Sequence, residues 1–226
     1  MNHTAFVELL NLACGALLVT AVLILWRRQL AAIIRWFTVQ GLALTAIAAI
    51  IAVDGHDARL GAIAAGVFAL RVIALPLLLR RALARAEADG GGRALRETSP
   101  LVNVTASLLA AAVLTLLAYA VSRPVVQLTP ASPAAHAIPI GLAVALIGFF
   151  ALVTRRRAMS QLASFLLMDN GITAVGLLTT AGTSLIMELG ISLDVLFAAA
   201  VLQVLTSRVR DTFGHADLDE LRELRD

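Results

Sequence analysis

Apolar residues run almost unbroken through several stretches of this chain, each long enough to cross ~30 Å of hydrocarbon as a helix, and the charged residues collect between them. The pattern predicts seven helices, approximately 4–26, 30–53, 58–81, 102–122, 134–154, 157–180 and 184–207. Helices follow from the solvent. Lipid cannot hydrogen-bond an open backbone, and these runs lack the roughly ten-residue alternating pattern of an outer-membrane barrel. The expected fold class is therefore an all-α, polytopic integral membrane protein in a lipid bilayer. Met1 to Thr4 lacks a basic leader and opens a run too long for a signal core, so the first span is expected to remain in place.

Five polar side chains interrupt these runs near their middles. Asp169 and Asn170 lie in Ser164-Phe165-Leu166-Leu167-Met168-Asp169-Asn170-Gly171, Asp194 lies in the next run, and Gln40 and Arg71 lie in the second and third. At about 1.5 Å of rise per residue, Asp169 is roughly 18 Å from Arg157, near mid-membrane, too deep to snorkel out. A charge at the bilayer centre costs about 2.5–3.5 kcal/mol on insertion scales, so each aspartate requires a counter-ion, a proton or water. Two arrangements answer that need: a static pair between Arg71 and either aspartate, or a hydrated site that titrates. Spacing alone leaves both open, as it leaves open which aspartate Arg71 faces. Pro76 frees the carbonyl of Val72 beside Arg71. Glu188, in the first turn of the last span, is either an ordinary first-turn acid or an outer-surface station for protons.

The chain is 60% hydrophobic and 15% charged, and its 18 basic residues are all arginine. They gather after the first span (Arg27, Arg28), the third (Arg80, Arg81, Arg85, Arg93, Arg96), the fifth (Arg155, Arg156, Arg157) and the seventh (Arg208, Arg210), leaving Arg59 and Arg123 on the other side. By the positive-inside rule the N-terminus faces outward and the C-terminus the cytoplasm of a plasma or inner membrane. The basic balance thus reports topology, and no aromatic-interleaved face for nucleic acid exists. One cysteine, Cys14, excludes an intrachain disulfide, and the single histidines His3, His56, His136 and His215 have no metal-ligand spacing. Neither a phosphate loop nor a nucleophile constellation is present, so no cofactor and no independent catalysis are expected.

The segment from Arg27-Arg28-Gln29-Leu30 to Val39-Gln40-Gly41 matches the one from Arg156-Arg157-Ala158-Met159 to Met168-Asp169-Asn170 without a gap, and Gln40 falls on Asp169. More loosely, Arg71 falls on Asp194. Two parallel three-helix repeats joined by the fourth span are the reading, with 1–85 as the first repeat, 86–133 as cytoplasmic linker, fourth span and external loop, and 134–210 as the second repeat. Residues 86–99, around Gly90-Gly91-Gly92, are expected to break the third helix, and Ser122 to Pro133 to form an extended outer loop, with Pro139 in the first turn of the fifth helix. The tail, 211–226, is a short amphipathic cytoplasmic segment.

Leu167-Met168-Asp169-Asn170-Gly171, followed by Met187-Glu188-Leu189-Gly190-Ile191-Ser192-Leu193-Asp194-Val195-Leu196-Phe197-Ala198, resembles hydrogenase-4 component E (HyfE), a subunit of the formate hydrogenlyase group, and Gln40 and Arg71 fit that family. The last three spans are also similar to the NuoK subunit of respiratory complex I and its MrpC relatives in cation antiporters. Component E commonly has glutamate where Asp169 stands, and NuoK has its glutamate where Leu166 stands. The resemblance implies a non-catalytic subunit in the proton-pumping arm of a complex I-like membrane hydrogenase. Its implied partners are antiporter-like membrane subunits and a cytoplasmic oxidoreductase arm, and Asp169 and Asp194 match the proton-handling carboxylates. A scaffold subunit and a stand-alone small-solute transporter are the alternatives; spans without discontinuous Gly/Pro breaks disfavour the last.

Overall fold

The computed structural model describes residues 2–88, 102–128, 132–155 and 158–179. Within them the chain forms helices α1 (His3–Trp26), α2 (Leu30–Asp54), α3 (Ala58–Phe68), a π-helical turn (Ala69–Ala74), α4 (Leu75–Ala88), α5 (Val104–Leu128), α6 (Pro133–Thr154) and α7 (Ala158–Thr179). The stretch Ala58–Arg81 is one continuous span, so six helices among the described residues are long and apolar enough to cross a membrane. The seventh expected span, 184–207, and the tail lie outside the described residues.

Apolar residues cover these helices all round, so close contact between backbones, rather than an oily stripe, selects their faces. Helices α1, α2, α6 and α7 form the middle: α1 packs on α2 and α6, α2 on α7, and α6 on α7 along most of its length. The α3–α4 span leans on α2, while α5 sits against α6 and α1. In α1 the buried positions Leu10, Cys14, Leu17, Ala21 and Ile24 recur at helical spacing and meet Phe37, Leu44 and Ile47 of α2 and Ile147 and Ala151 of α6 in one core. Glycine permits the tightest seam. A Cβ on Gly171 would stand 2.2 Å from the Ala145 nitrogen, and one on Gly148 would stand 2.4 Å from the Met168 nitrogen. With hydrogen there, α6 and α7 approach to backbone contact.

The connections are tight. Residues 27–29 link α1 to α2, and Arg155 follows the end of α6; Arg27 and Arg155 are both extended, with their N–H groups returning to Leu23 O and Ala151 O. At the other end of α2, His56 takes the left-handed conformation with φ 48°, and Asp57 Oδ1 then accepts from the Arg59 N–H at 2.8 Å to start α3.

Three boundaries differ from the sequence reading. The fourth span continues through Pro124 to Leu128 where an extended loop was expected. A proline at this position costs the Ala120 carbonyl its helical donor, and the Ser122 hydroxyl donates to Ala118 O at 2.6 Å one turn back. The next span begins at Pro133, so Pro139 lies past the first turn, where its missing N–H leaves the Ala135 carbonyl without its i+4 donor. Helix α4 runs on to Ala88, into the stretch expected to break it; the break signal in the sequence is the glycine triplet that follows.

Candidate functional site

The π turn is the local device on which the site is built. Pro76 has no N–H, and its ring crowds the carbonyl one turn back, so the ladder widens ahead of it: the Leu75 N–H reaches Leu70 O, an i→i−5 bond. Such single π turns frequently coincide with functional positions in helices. Arg71 lies inside this one and is 1% exposed.

Opposite it, Gly41 of α2 removes the side chain that would collide with the Arg71 backbone. A Cβ there would lie 3.0 Å from Arg71 O and 3.3 Å from Arg71 Cβ. The guanidinium thereby passes α2 and reaches α7. Its Nη2 donates to Asp169 Oδ2 at 2.7 Å in a salt bridge and to Thr173 Oγ1 at 2.7 Å, while its Nη1 donates to Asn170 Oδ1. Asn170 Nδ2 in turn donates to Gln40 Oε1 at 2.8 Å, and the Thr173 hydroxyl donates back to the Asp169 carbonyl at 2.9 Å. Asp169, Asn170 and Gln40 are all buried.

Among the described residues, Arg71 thus pairs with Asp169, one of the two aspartates between which spacing left the choice open. The geometry also brings together four residues singled out in the sequence, Gln40, Arg71, Asp169 and Asn170, from three helices at one depth. Asp194 and Glu188 lie outside the described residues. Sequence reasoning passed over Thr173, although its i+4 spacing from Asp169 places both on one face of α7. It also passed over the π turn, for which Pro76 was the available sign.

Chemically, the cluster is a charge-assisted network in a low-dielectric setting. A guanidinium neutralises a carboxylate, and neutral amides and a hydroxyl extend both ends of the pair. Removal of either charge takes an ionic partner from the other, so the charge of Asp169 and the seating of Arg71 depend on each other.

A second polar anchor closes one end of the bundle. Arg155, also buried, donates through Nη2 to Ile24 O at 3.0 Å and Arg27 O at 3.2 Å, covering carbonyls at the C-terminus of α1, and Gln161 Nε2 holds the Arg155 carbonyl at 2.9 Å. A cation on helix C-terminal carbonyls is favourable for the helix dipole as well as for the hydrogen bonds. Nearby, the Arg27 guanidinium lies 4.9 Å from the centre of the Trp26 ring.

Fold and site together define an all-helical, membrane-type protein with an ion pair buried among its spans. Over 226 residues, all of both chains, the sequence is 50% identical to the uncharacterized protein Rv0085 of Mycobacterium tuberculosis (strain ATCC 25618 / H37Rv), and the chain belongs to that protein's family. It is also 24% identical over 217 residues to hydrogenase-4 component E of Escherichia coli (strain K12), covering 96% of this chain and 97% of that protein; the Shigella flexneri component E is equally similar. The resemblance seen in the sequence thus holds as a distant similarity along nearly the whole chain. No family model and no solved structure matches.

Proposed function

We propose that this protein is a non-catalytic integral membrane subunit of a complex I-like, membrane-bound hydrogenase or related respiratory complex, and that its buried ion pair takes part in moving protons or cations. The observation that carries the reading is the Arg71–Asp169 salt bridge, seated on a π turn among membrane-type helices. A buried pair of this kind is a costly way to glue helices, since apolar residues of similar volume often serve as well. Intramembrane ionisable residues characteristically mark ion and proton pathways. The similarity to hydrogenase-4 component E along nearly the whole chain supports membership in such an assembly.

The parallel-repeat reading, with its NuoK-like second unit, is supported by the helix contacts. In that reading α1 and α6 are counterparts, as are α2 and α7, and each packs against its counterpart. The arginine distribution supports an N-out, C-in orientation in the inner membrane. Glu188 would then stand near the outer surface as a station for the transported ion, with Asp194 the second deep carboxylate.

A scaffold role is favoured by one observation: the cluster's hydrogen bonds run from side chain to side chain, as a fixed joint between α2, the π turn and α7 would require. Purification of the tagged protein from native membranes in mild detergent tests the assembly shared by both readings. Antiporter-like membrane subunits and a cytoplasmic oxidoreductase arm are expected to co-purify in fixed ratio. A monodisperse, folded monomer carrying none of them would overturn it.

A further inference from the structure

Where α1 and α6 end and α5 begins, the three helix ends border an open cleft whose walls include Leu25, Arg27, Arg28, Val104, Ser107 and Arg155. Its lining residues carry three guanidinium groups and no carboxylate. Arg27 and Arg28 are exposed, and neither has a carboxylate partner among the described residues.

Ser107 is a second, independent sign. It lies on α5, the least buried of the described spans, yet is itself 8% exposed, and its side chain has no hydrogen-bond partner among the described residues. Other hydroxyls of this helix close onto the carbonyl one turn back, as Thr115 and Ser122 do; Ser107 lines the cleft instead. A buried hydroxyl is rarely left unmet, and beside three guanidinium groups the complementary partner is an anion.

The level of the cleft identifies which anion. Trp26, half exposed with the Arg27 guanidinium 4.9 Å from its ring centre, stands at the end of α1 as aromatic residues do at the headgroup boundary. Beyond the cleft α5 runs into the membrane with Leu109, Val113 and Leu116 exposed at one-face spacing, a surface for acyl chains. The C-terminal carbonyls of α1 would repel an anion, but Arg155 covers them. The N-terminus of α5, with first-turn N–H groups that have no acceptor within the helix, favours one.

We propose that the cleft binds the phosphate of an anionic phospholipid, with Arg28 and Ser107 donating to its oxygens and Arg27 and Arg155 supplying the surrounding positive charge. Basic pockets between spans bind headgroups in this way. The bound lipid joins the start of α5 to the ends of α1 and α6. Its site shares no residue with the Arg71–Asp169 cluster, so lipid binding and ion movement are tested separately.

The test is photolabelling of the full chain, purified in mild detergent with the subunits it retains and placed in phosphatidylcholine nanodiscs with a trace of phosphatidylglycerol carrying a photoactivatable acyl chain. Label on this chain is expected to be displaced by unlabelled phosphatidylglycerol and not by added phosphatidylcholine. Arg28→Gln/Ser107→Ala is expected to need about ten- to a hundredfold more phosphatidylglycerol for equal labelling, the range for a lost charge-assisted hydrogen bond. Arg35→Gln, which removes the same charge outside the cleft, is expected to label like the parent. Parental labelling of the double variant, or equal displacement by phosphatidylcholine, would overturn the site. An equal loss in Arg35→Gln would replace it with a general attraction to basic surface, and displacement by millimolar inorganic phosphate would reject the lipid as its ligand. If the double variant fails to accumulate, Ser107→Ala alone decides: weaker labelling supports the site and parental labelling overturns it.

Discussion

Removal of one charge from the Arg71–Asp169 pair is predicted to damage the protein more than removal of both. In Asp169→Asn the side chain keeps its size, but the guanidinium, 1% exposed, loses the carboxylate 2.7 Å away. A contact ion pair at an effective dielectric near 20 is worth roughly 4 kcal/mol, and deletion of one partner of a buried pair costs about 3–5 kcal/mol. That is roughly a hundred- to a few-thousandfold in the folding equilibrium, a large part of the margin by which domains are stable. Asn170 and Thr173 still accept from Arg71, but neither neutralises it. In the double variant Arg71→Gln/Asp169→Asn neither charge of the pair remains, and amide-to-amide hydrogen bonds replace the ionic ones. The assay is the amount of assembled, detergent-stable protein in membranes, together with its thermal unfolding midpoint, for both single variants and the double. Each single variant is expected to accumulate poorly, and the double is expected to recover most of the loss. Single variants as stable as the parent, or a double variant no better than Asp169→Asn, would refute a buried, mutually dependent pair.

Further predictions follow from backbone contacts and from topology. Gly171→Ala and Gly148→Ala place a Cβ 2.2 Å and 2.4 Å from backbone nitrogens of the facing helix, so each is expected to lower the thermal midpoint by forcing α6 and α7 apart, at a cost of about 1–3 kcal/mol or more. Gly15→Ala, with nothing within 4 Å of its Cβ, should leave that midpoint unchanged or raise it. Arg155→Met withdraws the donor from the α1 carbonyls and is expected to cost about 1.5–3 kcal/mol, the range for charge-assisted hydrogen bonds, with Arg155→Lys intermediate. A cysteine at Ser132 should react with an impermeant thiol reagent from outside intact cells and one at Gly91 should not; the reverse pattern would invert the proposed orientation.

Much of the fold was legible because hydrophobic run length is nearly sufficient to locate a membrane helix. The first two helices and α6 begin and end within a residue of where the apolar runs do. The overrun of α5 through Pro124 was not legible, since a proline in the last turns costs one carbonyl pairing and reads in sequence like a loop. At the site, the polar residues announced themselves by interrupting apolar runs, but their pairing did not. Which aspartate meets Arg71 depends on how closely α2, the π turn and α7 approach. That approach is governed by Gly41 against Arg71 and by Gly148 and Gly171 between α6 and α7. On helices that are apolar all round, these glycines leave no periodic signal. Thr173 was passed over for a related reason, because a single hydroxyl one turn from a carboxylate is unremarkable until an arginine from another span arrives between them.

The central claim, that the buried pair belongs to an ion path, meets its most direct test in inside-out vesicles containing the assembled complex. The measurement is protons moved per electron pair, compared between the parent and Arg71→Gln/Asp169→Asn at matched amounts of complex and matched electron transfer. Because the double variant is expected to assemble, a loss of translocation with electron transfer preserved is the predicted result. Parental translocation in the fully assembled, charge-neutral variant would contradict the claim and leave the pair as a joint between helices.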